Sequence, residues 1–186
     1  MLEKMVIEHC APTLAGLKTG DLFNYTFSEY KIAQNSIRKL SKVLNKRGIY
    51  VAELYKRDRS MLLYVYRRNR LLADLSCPMV REFLEEQGYC LADTQDALSF
   101  LKRRIANNLT QTGFPHEIGI FLSYPLPDVK GFIENAGGNC KHCGYWKVYH
   151  DEDQAMSLFR KFDKCKQVYH HLCSQGSDIV KLTVAS

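Results

Sequence analysis

Ala33, Ile37, Leu40 and Leu44 recur every three or four residues, which places them on one face of a helix over 29–46. Gly48 follows where a helix commonly closes on a residue of left-handed backbone. Two apolar strands come next, Ile49 to Tyr55 and Met61 to Tyr66, joined by the polar run Lys56-Arg57-Asp58-Arg59-Ser60. Both carry apolar residues on both faces, so the sheet they form is expected to be covered on each side. Residues 2–9 predict a short helix that Pro12 interrupts, because proline lacks a donor and clashes inside a helix. Pro78 opens a helix to about Gln87. A further helix begins near Thr94, with Ala97, Leu98, Leu101 and Ile105 as its buried stripe.

The last seventy residues predict β-α-β-α-β. Strand Ile118–Leu122 leads to helix Pro127–Asn135, then strand Tyr145–Tyr149, helix Glu152–Ser174 and strand Asp178–Val184. Asp151 suits the N-cap of the long helix. Strands separated by helices pair in parallel through right-handed crossovers. The expected fold class is therefore α/β, with α+β as the alternative. Its mixed sheet is parallel in the C-terminal half, holds an antiparallel hairpin in the N-terminal half, and has helices on both faces. No linker or repeat divides residues 1–186, so one domain is expected.

Composition narrows the setting. The longest apolar runs, such as Met61 to Tyr66, fall far short of the roughly 18 residues that span a bilayer. Glu3, Lys4 and Glu8 interrupt the N-terminal stretch, unlike a signal peptide. The seven cysteines form an odd, scattered set, which points to reduced thiols in a cytoplasm rather than a disulfide framework. The net charge of +6 is concentrated between Lys31 and Arg70, where twelve Lys and Arg face two acids, Glu53 and Asp58. Such asymmetry marks either an anion-binding face or a well-solvated helix and hairpin.

Several polar residues stand where chemistry could use them. Ser123 and Tyr124 fall where a strand is expected to end and a helix to begin, the usual ligand position in open α/β sheets. The free N–H groups of that helix would favour an anion. His116 and Glu117 form a candidate acid–base or metal-binding pair. Lys147 sits mid-strand between Tyr145 and Tyr149, where lysine is unusual, and could hold a phosphate or carboxylate. On an edge strand it would only discourage aggregation. Lys18 follows Gly16 in a segment that echoes a phosphate loop but lacks its first glycine and a preceding strand. Cys140-Lys141-His142-Cys143 is a C-x-x-C motif, and His170 and Cys173 could complete four zinc or iron ligands. Unligated thiols are the alternative. Arg57, Arg59, Arg67, Arg68 and Arg70, with Tyr55, Tyr64 and Tyr66, offer the stacking and phosphate-contact chemistry of nucleic-acid binding.

The strings Phe114 to Pro125 (FPHEIGIFLSYP), Asp128 to Asn135 (DVKGFIEN) and Gly144 to Tyr149 (GYWKVY) resemble an uncharacterised domain-of-unknown-function family of anaerobic Firmicutes, mainly Clostridia. The segment Ala11 to Gly16 joins them, and the resemblance covers nearly the whole chain. It implies a family pattern that includes Lys18, Tyr66, Arg67, His116, Glu117, Tyr124, Asp128, Lys147 and Tyr149. Where that family commonly has glycine, this chain has Ser123. The resemblance also implies a setting beside flavodoxin and iron-uptake genes, hence an iron-, haem- or flavodoxin-linked redox accessory.

The leading expectation is a cytoplasmic domain that binds a small anionic ligand or cofactor at the carboxyl ends of its strands. Lys18, Arg67 and Lys147 would supply charge, with Tyr66, Tyr124, Asp128 and Tyr149 also at the ligand. His116 and Glu117 would be the acid–base groups of any catalysis. A redox accessory with a flavodoxin-type partner is the second expectation, and nucleic-acid binding through the basic hairpin 55–70 the third. No particular cofactor is indicated.

Overall fold

The computed structural model describes residues 1–108 and 113–185. Its first half runs α1 (Leu2–Leu14), β1 (Gly20–Thr26), α2 (Tyr30–Leu44), β2 (Ile49–Arg57) and β3 (Ser60–Arg67). Then follow α3 (Arg68–Ser76), α4 (Pro78–Glu86), α5 (Thr94–Asn108), α6 (Ile118–Phe121) and α7 (Leu126–Glu134). A two-residue ladder, β4 (His142–Cys143) with β5 (Lys147–Val148), precedes α8 (Glu152–Ser174).

The main sheet has the order β1-β3-β2, and both pairings are antiparallel. Its central strand is apolar on both sides, as its sequence demands. Met61, Leu63 and Val65 enter one core with α1 and α2, while Tyr64 and Tyr66 enter the other with α3, α4, α5 and α6. Each fully buried aliphatic side chain contributes roughly 1.5–3 kcal/mol. Helices therefore cover both faces, and the hairpin, α2, α4, α5, α7 and α8 lie close to where periodicity puts them. Gly48 closes the turn after α2 with φ 75°, and Asp151 Oδ1 accepts from Gln154 N at 2.9 Å.

The expected parallel β-α-β-α-β half is not formed. Ile118–Phe121 is a buried helical turn, its backbone satisfied locally by Gly119 N to His116 O (3.2 Å) and Ile120 N to Glu117 O (3.0 Å). A short apolar run reads alike as buried strand and buried helix, and here its backbone groups pair within the segment rather than with a neighbouring strand. Residues 178–184 make turns instead of a strand. Asp178 Oδ1 accepts from Lys181 N at 2.9 Å, and Ile179 and Leu182 drop into the core beside α1. Only Lys147 and Val148 of the 145–149 segment are laddered, outside the main sheet.

Strand β1 and helix α3 have no counterpart in the sequence pattern. In β1, Leu22 faces one core while Phe23 and Tyr25 face the other, so the alternation is masked by adjacent apolar residues. Pro12 interrupts α1 as expected, and a second stretch of helix carries it on to Leu14. The helix kinks at Cys10 (φ −118°, ψ 18°), which relieves the clash that a proline imposes on the preceding turn. Among the described residues no helix is long and apolar enough to cross a membrane.

Candidate functional site

Asp128, in the first turn of α7, is 2% exposed and organises the C-terminal third of the chain. Its Oδ2 accepts from Trp146 Nε1 at 2.7 Å, and its Oδ1 accepts from the backbone N–H groups of Tyr149 and His150, both at 2.8 Å. Three charge-assisted bonds thus pin the β4–β5 segment to the helix. Gly131 allows the close approach. A Cβ there would stand 2.6 Å from the Tyr149 ring.

Between this pinned segment and α6–α7 lies a cavity of about 250 Å³. Tyr124, Phe132 and Trp146 supply aromatic wall, Gly119 and Val129 the floor of small and aliphatic groups, and His116, Cys143 and Lys147 its polar atoms. Cys143 and Lys147 are direct partners in the β4–β5 register, so both reach the same side. The Lys147 ammonium donates to Gly137 O at 2.6 Å and sits 5.7 Å from the Phe132 ring centroid. His116 is exposed and its ring packs 4.8 Å from Phe132. Tyr124 stacks on Trp146 at 5.1 Å, and burial, then the Asp21 charge, pushes its phenol up to about 12.

The site residues expected from sequence divide into two sets. Tyr124, Asp128, Lys147 and His116 line this cavity, though Asp128 is there as its structural anchor. Tyr149 is beside it and donates from its hydroxyl to Gly138 O at 2.9 Å. The others serve the interior. Lys18, 4% exposed, pairs with Asp21 Oδ1 at 2.5 Å, and Thr13 Oγ1 donates to the other carboxylate oxygen at 2.7 Å. Arg67, 3% exposed, donates to the carbonyls of Thr13 and Leu14 at 2.7 Å and of Val184 at 2.8 Å. It thereby ties the C-terminal end of α1 to the chain's last turn. Burial, then the neighbouring Arg70, lowers its affinity for its proton. Tyr66 stacks flat on Tyr64 at 4.8 Å, both buried.

Glu117 is also interior. It accepts from Arg104 Nε at 2.8 Å and Tyr89 Oη at 3.2 Å, pointing away from the role of a base beside His116. Burial, followed by the Glu117 charge, raises the Tyr89 phenol. The four proposed metal ligands are not gathered. His142, between Cys140 and Cys143, lies 3.8 Å from Glu152 at the start of α8. His170 is eighteen residues further along that helix, about 27 Å at 1.5 Å per residue. Among the described residues no three His, Cys, Asp or Glu side chains converge as a metal would need.

One more correction follows from the fold, and the remaining residues take their places. The cavity is not at the carboxyl ends of parallel strands, since there are none among the described residues. Of the hairpin's nucleic-acid chemistry, Tyr64, Tyr66 and Arg67 are buried, and Arg70 donates to Gly16 O. Ser123 has φ 60°, a backbone that glycine adopts without strain, and its Oγ accepts from Thr19 N at 2.7 Å. Phe132, Trp146 and Cys143 join the cavity beyond the residues expected from sequence. The aromatics of DVKGFIEN and GYWKVY beside Lys147 were the available signal.

The architecture is helix-rich, built on a three-stranded antiparallel sheet, with a small aromatic-walled cavity under a pinned two-residue ladder. The chain belongs to the family described as Protein of unknown function (DUF3793), which matches residues 6–183. No curated protein and no solved structure matches it.

Proposed function

We propose that the chain binds a small ligand with a flat apolar body and an anionic group in the cavity beneath β4–β5. The body lies against Tyr124, Phe132 and Trp146, and the anion meets Lys147. The carrying observation is the Lys147 ammonium: among the described residues it has Gly137 O as a hydrogen-bond partner and no carboxylate within ion-pair distance. An ammonium has three donors, so a ligand oxygen can add to the one already made. The shape agrees with what small-molecule sites use, an apolar concavity with few polar groups. His116, exposed on the Phe132 ring, stands at the mouth as the group that would exchange a proton with the ligand.

Trp146 is the chain's single tryptophan and lines the cavity, so its fluorescence reads occupancy directly. Small aromatic carboxylates and phosphates titrated into the protein should give a saturable change, and their neutral amides a weaker one. Lys147→Met should weaken the carboxylates by about 1.5–3 kcal/mol, roughly 10- to 150-fold, the range for a hydrogen bond to a charged group. No saturable response across such a panel, or equal affinity in Lys147→Met, removes the reading.

A further inference from the structure

The outer face of α2 is unlike the other exposed helices. Lys31, Arg38, Lys39 and Lys42 are all exposed and fall within an arc of about 100° at 3.6 residues per turn. Lys46, exposed on the turn after the helix, continues the row to about 20 Å. None of these five cations is in an ion pair among the described residues, and α2 carries no acidic residue, although Glu29 precedes it. Elsewhere opposite charges are mixed. On α4, Arg81 pairs with Glu85 at 2.9 Å, and α8 intersperses Asp153 and Asp163 with Arg160, Lys161 and Lys164.

Such a row works against the helix, because Arg38–Lys42 and Lys39–Lys42 are like charges at i,i+4 and i,i+3. A bound polyanion would reverse the sign of that interaction. The apolar stripe of Ala33, Leu40 and Leu44 is already packed on the sheet, so α2 cannot roll it into a bilayer. What it offers is a straight row of charge. At the start of α2, Lys56 lies over the Tyr30 ring at 5.0 Å and extends the positive surface to the hairpin tip, where Arg57 and Arg59 are exposed.

We infer that this face binds the phosphate backbone of double-stranded nucleic acid, without reading its sequence. Phosphates recur in a line along a duplex, and contacts made only to them position a protein without specifying bases. This surface is separate from the cavity, and its test is independent of the ligand reading.

The test is fluorescence anisotropy with a short random-sequence DNA duplex and the full chain, between about 50 and 200 mM salt. Affinity should fall steeply with salt, with a log–log slope of about −0.9 for each phosphate contacted. Lys39→Glu/Lys42→Glu should weaken binding at least tenfold and flatten that slope. Lys161→Glu/Lys164→Glu on α8 changes the net charge equally and should leave binding within about twofold, the scale of a screened surface effect. The α2 pair should stay folded, since the carboxylate introduced at position 42 would face Arg38 and Lys46 at i,i+4; a thermal melt checks this. No complex at the lowest salt overturns the inference, as does equal loss in both double variants. Tighter binding to vesicles of anionic lipid than to the duplex overturns it in favour of a membrane surface.

Discussion

Lys18 and Lys147 are two lysines in closely similar places. Each is drawn out of open solvent, and each ammonium stands over an aromatic ring, 5.5 Å from Tyr124 for Lys18 and 5.7 Å from Phe132 for Lys147. They differ in what meets the charge. Lys18 meets the Asp21 carboxylate, itself held by Thr13, in the interior between α1 and β1. Lys147 meets a carbonyl at the wall of a cavity. A cation neutralised by a buried carboxylate is part of the scaffold. One that meets only a dipole keeps a field that a ligand can use.

The comparison is most easily broken at Lys18. Lys18→Met leaves the Asp21 charge buried without its cation, and removing one partner of a buried pair costs about 3–5 kcal/mol. Urea unfolding should show that loss. A cost below about 1 kcal/mol, the level of an exposed pair, would place Lys18 in the same class as Lys147.

Tyr124 stands between the two regions, and its pH response sharpens the contrast. Its phenol is pushed up to about 12, chiefly by burial. A raised value means the folded protein favours the neutral phenol. That stabilisation is complete below the ordinary value of about 10 and is lost as pH rises from there toward 12. Its size is on the order of 2 kcal/mol at about one pKa unit per 1.36 kcal/mol, allowing for partial exposure. Tyr124→Phe should therefore flatten the fall of stability above about pH 10, measured by denaturant unfolding. A residual slope belongs to the other phenols that burial raises, among them Tyr64, Tyr66, Tyr89, Tyr145 and Tyr169. An unchanged slope would mean that Tyr124 is wetter than its packing against Trp146 implies.

The smallest stability effect is expected at Lys147. Lys147→Met keeps most of the stem and loses one part-buried hydrogen bond from a charged donor, so unfolding should shift by about 1.5 kcal/mol or less, the low end for such a bond. A loss approaching that of Lys18→Met would make Lys147 another structural cation, and the proposed anion site would lose the group it rests on.

What the residues determined alone is local. The apolar spacing of Ala33, Leu40 and Leu44, the cap at Asp151 and the polar turn between β2 and β3 each act within a few residues, so those elements could be read directly. The segments 118–122 and 178–184 could not, because a short apolar run satisfies strand and helical turn equally until its neighbours leave room for one. The candidate site divides the same way. That Lys147 and Tyr124 are candidates for a site was legible in their residue types and local pattern; that both line one cavity was decided by Asp128 pinning Trp146, Tyr149 and His150 to α7. Nothing near Arg67 in sequence announces that its guanidinium is committed to Val184 O, 117 residues away, or that Thr19 N meets Ser123 Oγ across 104. A charged side chain is set by its residue type, but the group that satisfies it is chosen by chain closure, and only the tertiary structure brings that group within hydrogen-bond reach.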